Sequence, residues 1–241
     1  VIGAVAVIVA LLFLVYPLTS SILGAFVRNG QPLEIGNLTL VNFERFLGPG
    51  SYRNALWHSI ATGIVATAIA TAISLPMAYA VARIAMPLRA TVLALSVLPL
   101  VSPPFIGAYA WVILLGNNGI FNNLLRQYGG FGLPSIYGFL GIVLALSLSY
   151  FPYVFLVMQG ALAAADTHVE EAAVVAGASR WRVLRTVTLP MVLPAIAAGM
   201  LIVFIKAIGD FGVPSILGGE YQVLPTLIYY QIHGFFNLNG A

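Results

Sequence analysis

Between Arg89 and Arg126 the chain runs for 36 residues without a charged side chain. The sequence also opens on "VIGAVAVIVALLFLVYPLTSSILGAFV", 27 residues with no charge. About 20 apolar residues suffice for a helix to cross the hydrocarbon core of a bilayer. Runs of this length leave no solvated face for a globular domain. Composition agrees, with 61% hydrophobic and 7% charged residues and a mean hydropathy of +1.00. Soluble domains carry about 25% charged and about 45–50% apolar residues. In lipid every backbone donor and acceptor must be satisfied within the protein, which favours helices for such runs. The expected fold is therefore an all-α, polytopic membrane protein.

Dividing the chain at its charges and turn residues gives five candidate spans, at roughly 3–26, 57–82, 90–115, 137–159 and 190–212. The opening run is too long, and lacks the charged lead, for a secretory signal. It reads as a span whose cytoplasmic lead-in is expected to precede Val1. "GNNGIFNN" from Gly116 supplies a polar turn, so only the first part of the uncharged 90–125 interval is expected to cross. Pro99, Pro103 and Pro104 should kink or break that span. Such a break belongs where neighbouring protein or a cavity satisfies the freed backbone. After residue 213 the chain is too interrupted for a full span, and at least one further helix is expected beyond Ala241.

Five spans in sequence place alternate loops on alternate sides. One side carries Arg83, Arg89, Arg180, Arg182 and Arg185 on short loops; the other carries Arg28, Arg45, Arg53 and Arg126 on longer ones. The positive-inside rule puts the first set in the cytoplasm. The formal charge of +3 does not indicate nucleic acid, because the ten Lys and Arg are dispersed between apolar runs. With no cysteine there is no disulfide framework, thiol nucleophile or thiolate metal site.

Six of the seventeen charges gather in one place: Asp166, Glu170, Glu171, Arg180, Arg182 and Arg185. Thr167 and Glu170 have the spacing of a capping box, which predicts a helix starting near His168. Alanine carries that helix to Gly177, a residue suited to the left-handed turn that ends helices. Ser179 can cap a second helix over Arg180–Thr188. Ala172, Ala173 and Ala176 leave a nearly bare backbone that another protein could approach. Glu171 beside them can make a charge-assisted hydrogen bond to a basic partner. Arg180, Arg182, Arg185 and Trp181 suit the lipid headgroup zone. A surface hairpin linking two spans would account for the same residues.

The pattern Glu171-Ala172-Ala173, three residues, Gly177, nine residues, Val187, one residue, Leu189-Pro190 resembles a known motif. It is similar to the EAA loop of the membrane subunits of binding-protein-dependent ABC importers, the type I permeases. Val187 stands where the family pattern has isoleucine. The resemblance implies a six-span core, with this loop at 160–189 acting as the coupling element for a cytoplasmic ATPase dimer. The coupling residues would be Glu170, Glu171, Ala172, Ala173, Gly177 and Arg180. It further implies a second permease half, whether a homodimer, a heterodimer or a fused chain, and a periplasmic solute-binding protein. The location implied is a bacterial inner membrane. "LPLVSPPFIGAYAWVILLG" and "GDFGVPSILGG" look most like the ferric-iron branch, which shares its pattern with thiamine, phosphonate and polyamine permeases.

No G-x-x-x-x-G-K-[ST] loop is present, so ATP and Mg are expected on the partner and no cofactor on this chain. His58, His168 and His233 lack the short spacings of metal-site motifs. Lys206 and Asp210 are the one ionisable pair inside an expected span, spaced i,i+4. Ionisable groups in membranes are candidates for function, here a translocation gate. Counting from Pro190 at about 1.5 Å per residue, Lys206 lies roughly 24 Å along, toward the outer face. A pair snorkelling to that interface would look the same. A secondary transporter or channel using Lys206 and Asp210 as coupling charges is the alternative of another class.

Overall fold

The computed structural model describes residues 3, 5, 8, 9, 11–28, 30–48, 50–84, 87–234 and 236. They fall into two compact units, one drawn from residues 1–57 and 222–241, the other from His58–Tyr221. Apart from an isolated bridge between Val27 and Leu38, the regular structure among the described residues is helical. Four stretches are long and apolar enough to cross a membrane: Ser51–Arg83, Pro104–Gly129, Phe139–Ala164 and Arg180–Gly209. Leu11–Gly24 and Arg89–Leu100 are shorter apolar helices. Residues 4, 6, 7 and 10 of the expected first span lie outside the described residues.

In the first unit, α1 (Leu11–Gly24) opens with a π turn over Leu11–Val15, just before Pro17. A proline lacks the donor for the i−4 carbonyl and crowds it, so a wider turn relieves the site. The short α2 (Val41–Leu47) is tied to the end of α1 by Asn42, whose Nδ2 donates to Ala25 O and Val27 O at 2.9 Å each. Phe26 packs on Phe43 with ring centres 4.9 Å apart.

The second unit takes in most of α3 (Ser51–Arg83), then α4 (Arg89–Val97), α5 (Pro104–Leu115), α6 (Ile120–Gly129) and α7 (Phe139–Ala164). The charged α8 (Thr167–Val175) follows, then α9 (Arg180–Gly209) and α10 (Gly212–Leu217). The last helix, α11 (Leu224–His233), belongs to the first unit.

α7 is the centre of the second unit, burying Ile142, Leu146, Val154, Phe155, Met158 and Leu162. Its contact with α9 depends on Gly199, where an added Cβ would lie 2.9 Å from Val154 Cα. Small residues let helix backbones approach in this way, which matters in lipid because apolar side chains gain nothing by leaving it. α3 meets α7 through hydroxyls: Ser74 Oγ donates to Phe151 O at 2.8 Å, and Ser147 Oγ to Ala66 O at 3.2 Å.

The stretch expected as one span at 90–115 is two helices. α4 ends in a 3-10 turn over Leu98–Leu100, and α5 starts only at Pro104. Pro103 is extended, with φ −57° and ψ 135°, and three prolines in six residues remove the donors a continuous helix would need. The expected 190–212 span also differs at both ends. α9 starts at Arg180, continuing through a π turn over Leu184–Thr188 just before Pro190, and stops at Gly209.

Candidate functional site

The charged element is α8 and the first turns of α9, joined at Gly177. α7 ends at Ala164, and Ala165 and Asp166 are both extended. Asp166 caps α8, its Oδ1 accepting from His168 N at 2.9 Å. This corrects the expected capping box: Thr167 is already helical, so the cap falls one residue earlier and Glu170 is free for another partner. The other end is a Schellman turn. Gly177 N donates to Val174 O at 2.9 Å, and Ala178 N to Ala173 O at 3.0 Å. Gly177 has φ +86°, the left-handed conformation that disfavours a Cβ. Ser179 Oγ then accepts from Arg182 N at 3.4 Å to cap α9.

The two acids of α8 are held differently. The Glu170 Oε1 accepts from Arg83 Nε at 3.3 Å, from Arg83 Nη2 at 3.2 Å and from Thr188 Oγ1 at 3.0 Å. The side chains of Arg83 and Glu170 are only 12% and 16% exposed. The Glu171 side chain is 70% exposed, with the imidazole of His168 3.5 Å from its Oε2. An exposed pair of that kind adds little stability. Ala172 and Ala176 are exposed beside it, Ala173 partly so, and Val175 stands 88% exposed. α8 thus has an anchored side and a bare side on a helix of nine residues.

A cleft of about 780 Å³ runs along the element, lined by Tyr79, Arg83, Glu170, Glu171, Arg180 and Trp181 among others. Arg180, Arg182 and Arg185 are all exposed, and Trp181 is 70% so. Sequence reasoning missed Arg83 and Thr188 as members of this site. Arg83 is 87 residues from Glu170, and no local spacing could pair them. Thr188 sits inside the motif, at the unspecified position before Leu189.

Lys206 and Asp210 do not form the expected pair. α9 ends at Gly209, and Asp210 is extended with φ −72° and ψ 124°, so i,i+4 helical geometry stops short of it. Asp210 accepts from Tyr150 O–H at 2.6 Å through Oδ2 and from Val213 N at 2.8 Å through Oδ1. It thereby caps the break between α9 and α10. Lys206 Nζ lies 5.0 Å from the centre of the Tyr153 ring.

A second feature lay outside the sequence reading. His58 stacks on Tyr221 with ring centres 3.9 Å apart and 17° between planes. Tyr221 O–H donates to His58 O at 3.2 Å, and Thr62 Oγ1 donates to the phenol oxygen at 3.4 Å. Burial pushes the Tyr221 phenol above its ordinary range, and the Thr62 hydrogen bond opposes that. A cleft of about 430 Å³ opens here, walled also by Tyr137, Phe139 and Glu220.

The chain is 31% identical over 237 residues to the ferric transport system permease protein FbpB of Actinobacillus pleuropneumoniae, covering 97% of this chain and 34% of that protein. It thus spans about a third of the length of that relative. It is 32% identical over 184 residues to the molybdenum transport system permease protein ModB of Escherichia coli K12, covering 73% of this chain and 80% of ModB. In fold it matches a bacterial alginate ABC transporter solved with an alginate-bound periplasmic protein, with a TM-score of 0.79 at 18% identity, over 99% of this chain and 84% of that one. Residues 70–236 match the family model of the binding-protein-dependent transport system inner membrane component. With more than half its length matched, α8 and its anchor included, the chain belongs to that family.

Proposed function

We propose that this chain is the membrane-spanning permease, or one half of it, of an ATP-driven importer. In this reading the 160–189 element couples it to a cytoplasmic ATPase. A second permease half completes the passage, a periplasmic binding protein delivers the solute, and ATP and Mg are held by the ATPase alone. The observation that carries the reading is the division of α8. Glu171, Ala172, Val175 and Ala176 are offered to a partner, while Glu170 holds the helix from behind. Glu171 supplies the charge-assisted contact, the alanines let a foreign backbone approach, and Gly177 sets the turn that presents them. Arg180 and its neighbours lie at the headgroups of a bacterial inner membrane.

The cargo we favour is ferric iron, supported by the likeness to FbpB along 97% of this chain. A second reading is molybdate, favoured by the match to ModB over 80% of that protein's own length. Lys206 and Asp210 act in this scheme at the passage and not at the ATPase. Uptake of radioactive ferric iron and of radioactive molybdate, each in cells carrying the complete transporter, separates the two cargoes. Coupling is tested by co-purifying the ATPase with wild-type permease and with Glu171→Lys. Loss of the ATPase and of uptake is the expected outcome. Retention of both in the variant would remove the coupling role.

A further inference from the structure

We propose that Arg83 and Thr188 are positioning residues that act through Glu170, clamping α8 to the end of α3 and to the root of α9, so that a displacement of α8 moves both spans together. The inference rests on the coupling role given to α8 above, and deepens it.

α8 is tied covalently to its neighbours in sequence by short links, Ala165–Asp166 to α7 and Gly177–Ser179 to α9. It has no such link to α3, which ended more than eighty residues earlier. Arg83 provides one. It is the last residue of α3, and its guanidinium reaches Glu170 Oε1 with two N–H groups. Thr188 donates to the same oxygen from the last residue of the π turn within the first part of α9. One carboxylate oxygen therefore receives donors from two different spans. The site is largely closed to solvent, so water competes poorly for these bonds. The π turn matters to the geometry. Its extra residue per turn sets which side of α9 faces α8, and Thr188 is 2% exposed at that point. The charges around the clamp, Glu171 and Arg180 in the same cleft, are exposed and remain outside it.

The chain has no cysteine, so two introduced ones can be spin-labelled cleanly. Val169→Cys on α8 and Ile84→Cys beyond the end of α3 are both exposed positions, and neither belongs to the face offered to the ATPase. In the assembled transporter with its ATPase, the clamp predicts one narrow label distance, the same without nucleotide and with vanadate-trapped ATP. In Glu170→Gln and Arg83→Gln the distance broadens and shifts on trapping, while the ATPase still co-purifies and hydrolyses ATP. Arg83→Glu combined with Glu170→Arg restores the narrow, invariant distance, which a loss of folding could not do. Thr188→Val leaves the α8–α3 distance narrow but broadens a second pair, Val169→Cys with Leu193→Cys on α9. The proposal is overturned if the single variants keep the narrow distance, or if the reversed pair assembles without restoring it. Loss of the ATPase from Glu170→Gln also overturns it, by making Glu170 a docking residue. Failure of the coupling reading shows elsewhere, as retention of the ATPase by Glu171→Lys. The nucleotide-free distances still report on the clamp in that event.

Discussion

Glu170 and Asp210 are two carboxylates of the same unit, and they are held in different ways. Glu170 sits within a helix and is gripped by a guanidinium and a hydroxyl from two other elements. Asp210 sits where a helix stops and is held by a phenol and a backbone amide. The first is an ion pair joining parts of the chain far apart in sequence. The second is held by neutral donors, one from Tyr150 sixty residues away and one from the local Val213 amide, and fixes the α9–α10 break. A charge surrounded by apolar sequence need not find an opposite charge; adequate donors are enough.

The comparison breaks most visibly if Glu170→Ala proves mild. Arg83 would be left with an unmatched charge in a poorly solvated site. A fully buried broken pair costs about 3–5 kcal/mol. Residual exposure reduces the expected loss to about 2–3 kcal/mol, read as a lower unfolding midpoint in an SDS titration. Gly199→Ala probes the packing that separates the two centres. Its Cβ would meet backbone at 2.9 Å, and overpacking of this kind costs about 1–3 kcal/mol. The same titration measures it, and an unchanged midpoint would show that α7 and α9 can separate freely.

Asp210→Ala removes a cap without exposing a charge, so about 1–2 kcal/mol is expected, below the Glu170 value. Asp210→Asn keeps an acceptor for Val213 N. On the function proposed above it should leave stability and ATPase co-purification nearly intact while lowering uptake, and unchanged uptake would rule out a role for Asp210 in transport. Gly177→Ala forces a Cβ into the left-handed turn at about 1–2 kcal/mol, visible in the same titration as a small shift. Lys206→Met should change stability least, by about 0.5–1 kcal/mol for the lost ring contact. A larger drop would mean that Lys206 has a partner other than Tyr153.

How much of this the residues disclose follows the range of each interaction. The glycine turn and the Ser179 cap were readable because the signals lie within four residues of their effects. The proline-rich 99–104 segment announced a break for the same reason, though the two helices flanking it replaced the single span expected. The capping-box spacing of Thr167 to Glu170 put the cap one residue too late, because only the extended backbone at Asp166 shows where the helix begins. Lys206 and Asp210 misled because spacing has helical meaning only while the helix lasts, and this one ends a single residue too soon. The Arg83 contact to Glu170 and the His58 stack on Tyr221 could not be read at all. They are products of how the helices assemble.

The close crossing at Gly199 has a mechanical side. It lies eleven positions from Thr188 and eleven from Asp210, about 16 Å on either arm. The stretch from Thr188 to Asp210 is therefore a lever with Gly199 at its middle. If it rocks on that glycine, a push delivered at the Thr188 end reappears at the Asp210 end with equal amplitude and opposite sense.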